Sequence, residues 1–150
     1  MTTSEPRGRA PSARLTTSEV VAGLVNDGSA QAVAEAAVAE AARLGCDVRF
    51  VQAITSRLGA DDSATADEAT FHAALRALRG HSRVRCTFEA VRGDPGTVLV
   101  ARSRQAAMLV VGEDRPTAKS RVAEHCQSWA ACTVKVIPTQ VSGTQVSTKD

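Results

Sequence analysis

Tyrosine is absent, tryptophan occurs once and phenylalanine three times, so aromatic residues make up only 3% of the 150-residue chain. A core with so few rings has to be filled by Ala, Val and Leu from the 43% of hydrophobic residues, and small side chains let helices pack close against their neighbours. No apolar run exceeds the length of a strand, which leaves no candidate for a membrane-spanning helix, and the N-terminus lacks the apolar core of a secretion signal. No membrane association and a cytoplasmic location are the expectations. The formal net charge is only +2 and the basic residues form no stripe, so nucleic acid is not an expected partner. Cys46, Cys86, Cys126 and Cys132 have no paired C-x-x-C spacing, so no metal site is expected from them. In a reducing compartment they read as small buried hydrophobes, with Cys126 and Cys132 unlinked across a helix end.

One domain fits this length. Residues 1–18 are rich in Ser, Thr, Pro and Arg, a composition that buries too little apolar surface to offset the entropy of ordering, and they read as a disordered tail. Residues 139–150, "TQVSGTQVSTKD", repeat "TQVS" and read as a flexible second tail. Between them, across 19–138, the pattern alternates. "VVAGLV" (Val20 to Val25) and "AAMLVVG" (Ala106 to Gly112) are apolar runs of strand length, as expected of strands covered on both faces, and "DVRFVQAI" (Asp47 to Ile54) reads as another strand. "RVRCTFEAV" alternates Val84, Cys86, Phe88 and Ala90 with Arg85, Thr87 and Glu89, a period of two that indicates a strand at a sheet edge. "TVKVI" (Thr133 to Ile137) closes as a fifth strand.

The intervening helices have stripes at spacings of three and four. They are Ala30, Val33, Ala34, Ala37, Ala41 and Leu44, ended by Gly45; Phe71, Ala74, Leu75 and Leu78 after a polar loop, ended by Gly80; and Val122, His125, Cys126 and Trp129. Asp94 before Pro95 is a helix cap with proline at the first helical position. The order β-α-β-α-β-α-β-α-β predicts a parallel sheet covered by helices on both faces.

From Glu19 to Pro138 the chain resembles the universal stress protein family. Three pieces carry the resemblance: "AEAARLGCDVRFVQA" with the strand and Ala-rich helix before it, "VRGDPGTVLVARSRQAAMLVVG", and "RVAEHCQSWAACTVKVIP". The middle one is the most specific, joining a Gly-Asp-Pro helix start, a basic helix end and an "LVVG" strand. The resemblance implies a flavodoxin-like, adenine nucleotide alpha hydrolase-like three-layer sandwich, with a five-stranded parallel sheet in the order 3-2-1-4-5. Its switch point lies between the first and fourth strands, where open α/β sheets bind ligands.

Many members of that family bind ATP there through a motif G-x2-G-x9-G-[ST], whose backbone N–H groups and helix N-terminus receive the phosphates. Gly112 matches the first glycine, and Arg115 stands at the second. Aligning the last helix and strand without gaps puts Ser120 and Arg121 at the closing glycine and hydroxyl positions. Gly112 to Ser120 is eight positions where the motif requires thirteen, so five residues of the loop are missing. An Asp after the first strand contacts the nucleoside in the family; the ungapped position holds Val25, and Asp27 in "NDGS" fits only after a shift of two residues.

Each tempting residue also has a plain structural reading. Arg115, Lys119 and Arg121 around the short loop read first as a solvated basic loop; as a functional group they would be side chains replacing backbone amides at a vestigial nucleotide or anion site, opposed by Glu113 and Asp114. His125 and Cys126 are adjacent, but helix neighbours point about 100 degrees apart and no third orienting group is apparent, so His125 reads as packed or interfacial. Asp61 and Asp62, near Asp67 and Glu68, lack the ligand spacing of a calcium loop and read as first-turn charges that complement the helix dipole.

The resemblance thus implies a cytoplasmic, non-enzymatic regulatory or ligand-sensing module, of the kind involved in stress response, with its ATP binding lost or weakened and neither cofactor nor metal. It also implies a homodimer through the fifth strand, Thr133 to Ile137, with Val134 and Val136 on one face and Lys135 on the other. Two alternatives stand beside it: retained binding of ATP or a cyclic nucleotide through Gly112 and the basic loop, and an enzyme using Cys126 and His125.

Overall fold

The structure, a computed structural model, describes residues 19–25, 29–54, 60–81, 83–115 and 121–138, with the backbone alone over 60–67. Residues 1–18 and 139–150, read from the sequence as tails, lie outside the described residues. Five strands and four helices alternate: β1 (Glu19–Leu24), α1 (Ala30–Leu44), β2 (Asp47–Ile54), α2 (Ala60–Ala77), β3 (Cys86–Arg92), α3 (Pro95–Arg102), β4 (Met108–Gly112), α4 (Val122–Trp129) and β5 (Thr133–Ile137). The strands form one parallel sheet in the order β3-β2-β1-β4-β5, the flavodoxin-like three-layer arrangement. The direction of the chain reverses between β3 and β4, so α1 and α2 cover one face while α3 and α4 cover the other.

Alternate residues of the central strands feed two separate cores. Val20, Ala22 and Leu24 of β1, with Val48, Phe50 and Val110, face the alanines of α1 and α2. Val21, Val51, Leu109 and Val111 face Val98 and Leu99 of α3 and Ala123 and Cys126 of α4. Phe50 is the one fully buried ring. Scarcity of aromatics is met by close approach: Gly23 in mid-β1 faces Leu99 so tightly that a Cβ there would lie 2.5 Å from Leu99 Cδ1. Gly45 ends α1 in the left-handed region, φ 70°, where it donates to the carbonyl of Ala41. On the α3 side Arg49 of β2 bridges Glu19 and Glu89 at 2.9 and 3.4 Å, and Arg102 joins Glu89 at 3.2 Å.

Several stripes turn relative to the sequence reading. The first strand is shifted one residue toward the N-terminus, and Val25 is exposed. In α1 the inward face uses Val38, while Leu44, where the chain leaves the helix, is exposed. The second helix begins at Ala60, taking in most of the polar stretch read as a loop. It buries Thr70, Ala73, Ala74 and Ala77 and leaves Phe71 and Leu75 outside, because the alanine face of α1 and the sheet leave room only for small side chains. The Thr70 hydroxyl donates to Gln52 Oε1 of β2 at 2.6 Å. In β3, an edge as expected, Phe88 meets Phe71 edge-on at 5.3 Å, but Cys86 and Ala90 are exposed and the clean alternation is lost. Cys46 and Cys126 are buried as small hydrophobes; Cys86 is not. In α4 the buried pair is Ala123 and Cys126, and Trp129 is 69% exposed. Among the described residues no helix is long and apolar enough to cross a membrane.

Candidate functional site

The crevice at the switch point is framed by the C-terminal ends of β1 and β4, the start of α1 and the start of α4. Gly112 closes β4 beside the first turn of α1. A Cβ added to it would lie 3.2 Å from Ser29 Oγ and 3.5 Å from Val33 Cγ2, so the glycine already serves the packing of α1 on β4. The chain then passes Glu113, Asp114 and Arg115, and is described again from Arg121, which precedes the first residue of α4.

A helix start presents N–H groups without partners in the helix, and Arg121 makes no side-chain cap. Asp114 supplies the missing acceptor from outside. One carboxylate oxygen accepts from the N–H of Ala123 at 2.9 Å, and the other accepts from the N–H of Glu124 at 3.0 Å. The side chain is only 10% exposed, and the Arg121 Nε lies 4.0 Å from its Oδ2. Arg121 itself reaches outward, to Glu124 Oε1 and the Arg115 carbonyl oxygen, each at 3.4 Å. A negative charge therefore sits on the first turn of α4, where the positive end of the helix dipole favours one.

Of the sequence-derived candidates, the structure brings Gly112, Arg115 and Arg121 together around this turn. Lys119, Ser120 and Asp27 lie outside the described residues, as do the side chains of Asp61, Asp62 and Asp67. Asp94 is where the sequence puts it, accepting from both the N–H and the hydroxyl of Thr97 at 3.1 Å, with Pro95 next. His125 and Cys126 part company. The Cys126 thiol points into the core, pushed up to about 11 by burial first and the charge of Asp114 second. The His125 ring packs on Gly96 and lies 6.4 Å from the ring of Trp129, in an open groove also lined by Asp94, Arg121 and Ser128. Among the described residues no three His, Cys, Asp or Glu side chains gather as metal ligands would.

Asp114 enters the sequence reading only as a charge opposing the basic loop. Its bond to Ala123 spans nine residues, whereas helix-cap patterns look three residues ahead, so local spacing carries no sign of it. The available signal is indirect: an Arg where a capping residue usually stands.

No protein-family model matches the chain, and no curated protein is similar enough to match it. Solved structures do match. A universal stress protein in complex with cAMP superposes with a TM-score of 0.68 over 82% of this chain and 98% of its own, at 18% identity. The chain has the universal stress protein fold. The same architecture is shared with a universal stress protein from Archaeoglobus fulgidus, at TM-score 0.62 and 20% identity over 80% of this chain and 91% of that one. An Arabidopsis thaliana universal stress protein family member with AMP bound gives 0.57 and 17% identity, over 85% and 95% of the two chains. The universal stress protein fold fixes the switch point between β1 and β4, where Gly112 and Asp114 stand.

Proposed function

We propose that this chain is a non-enzymatic, cytoplasmic regulatory module of the universal stress protein type, which senses a ligand at the β1–β4 crevice and no longer holds ATP strongly. The observation that carries the loss is the short β4–α4 connection: only residues 113–121 separate Gly112 from Val122. A triphosphate cradle needs several successive main-chain N–H groups curled around the anion, and a connector five residues under the motif length supplies too little chain to form one. Calorimetric titration with ATP and with cAMP tests the reading. It expects no saturable heat at micromolar concentration; a saturable isotherm with either nucleotide would support the retained-binding alternative instead.

The second part of the proposal is a homodimer through β5. Among the described residues its outer edge is unpaired, and strands in that position invite addition of another strand. Lys135, whose charge would otherwise discourage pairing, is tied to Glu40 at 2.6 Å, and the exposed Trp129 stands just before the strand. Sedimentation velocity should show a dimer; a monomer persisting into the millimolar range would refute this part alone.

A further inference from the structure

We propose that Asp114 is the specificity-determining residue of the crevice: its carboxylate is a built-in anion seated on the first turn of α4, and it excludes ligands that place a phosphate there. The inference rests on the reading above, and adds that the seat at α4 is filled and not merely left without its loop.

The geometry supports the assignment at three points. Both carboxylate oxygens are used, one on each of two consecutive N–H groups, at 2.9 and 3.0 Å. These are the donors a helix start offers to a bound oxyanion. The side chain is nine-tenths buried, so it does not swing aside as a surface acid would. Arg121, at the start of the turn, is already engaged with Glu124 and lies 4.0 Å from Asp114. An incoming phosphate would have to displace a buried carboxylate from its donors and then lie beside Glu124. The charge that makes α4 stable is thus the charge that repels an anion.

A cap that served stability alone would be missed only in an unfolding experiment. A specificity determinant predicts a gain. Wild type, Asp114→Asn and Asp114→Gly should be titrated with inorganic phosphate at constant ionic strength, following the backbone amide resonances of Ala123 and Glu124. The expected result is no saturable shift in wild type and a saturable shift in both variants, with affinity at least about tenfold above the wild-type limit, a gain set by one lost repulsive charge together with one freed donor in the Asn variant and two in the Gly variant. Folded variants that bind phosphate no better than wild type overturn the inference, and so do wild-type amides that respond to phosphate as the variants do. If Asp114→Gly does not fold, the isosteric Asn variant decides, and a saturable wild-type response overturns the inference without either variant. Wild type silent to ATP with silent variants removes only the role of Asp114, whereas saturable ATP binding by wild type removes the functional reading as well.

Discussion

His125 of α4 lies so close to Gly96 of α3 that a methyl group at position 96 would fall 2.8 Å from Cδ2 and 2.9 Å from Cγ of the imidazole. The two helices therefore meet through a missing side chain. Two opposed effects follow for Gly96→Ala: a gain of up to about 1 kcal/mol in helix propensity, and an overpacking cost of about 1–3 kcal/mol. The substitution should destabilise the wild type, yet stabilise a His125→Ala background in which the ring is gone. Urea unfolding of the four proteins in that cycle measures the coupling, and additive effects would mean the ring simply turns away.

Asp94 should account for about 1 kcal/mol of stability through its cap on α3. Asp94→Ala loses the acceptor of both Thr97 bonds, while Asp94→Asn keeps an oxygen in place and should lose a fraction of that. Thermal melts of the pair separate the cap from a general effect of charge: equal losses in the two variants would assign the effect to charge.

What was legible in the chain follows from how local each signal is. The order of elements could be read because the runs at Val20 and Met108 are apolar on both faces, and because Gly45 and Asp94 mark helix ends within a residue or two. The inward face of α2 could not, since Phe71 and Leu75 outweigh Ala73 and Ala77 in any apolar stripe, and only the alanine surface of α1 makes the smaller side chains the better fit. Trp129 misleads in the same way, lying one turn from Cys126 yet beyond the edge of the core. At the crevice, Gly112 and the short connection are visible in sequence, whereas the Asp114 cap arises from folding β4 against α4 across nine residues.

Two glycines on the sheet should respond differently to alanine. At Gly23 the added carbon meets three atoms of Leu99, including Cγ at 3.3 Å, and Leu99 is buried, so Gly23→Ala should cost about 1–3 kcal/mol. At Gly112 the nearest atom is Ser29 Oγ at 3.2 Å, a contact relieved by a few tenths of an ångström, and the cost should stay below about 1 kcal/mol. A larger loss at 112 than at 23, read from urea midpoints, would contradict the packing seen around both.

Glu40 links α1 to β5 through Lys135, and its carboxyl is held below the ordinary 4.5 by that hydrogen bond first and by the bond from Arg43 second. A depressed carboxylate stabilises the fold above its unfolded pKa and loses that contribution as pH falls through its folded value. The acid limb of the stability curve below about pH 4.5 should therefore be shallower in Glu40→Gln, and the difference should shrink in high salt. Identical acid limbs would show that the pair adds nothing to the attachment of β5.

Cys126 supplies the sharpest test of the enzyme alternative. With its thiol at about 11, only about one molecule in a thousand carries the thiolate at pH 8, and the sulfur is buried behind α4. Modification by a thiol reagent should begin at exposed Cys86 and reach Cys126 on the timescale of unfolding, in native protein and without assistance from His125. Because the charge of Asp114 is the second cause of the shift, after burial, Asp114→Asn should lower the Cys126 pKa without bringing it to that of a free thiol. The same raised pKa gives stability that is full below the unfolded thiol value of about 8.5 and is lost as pH climbs toward 11. Peptide mapping after timed labelling reads both effects, and rapid labelling of Cys126 in the folded protein at neutral pH would restore a nucleophilic role to this helix.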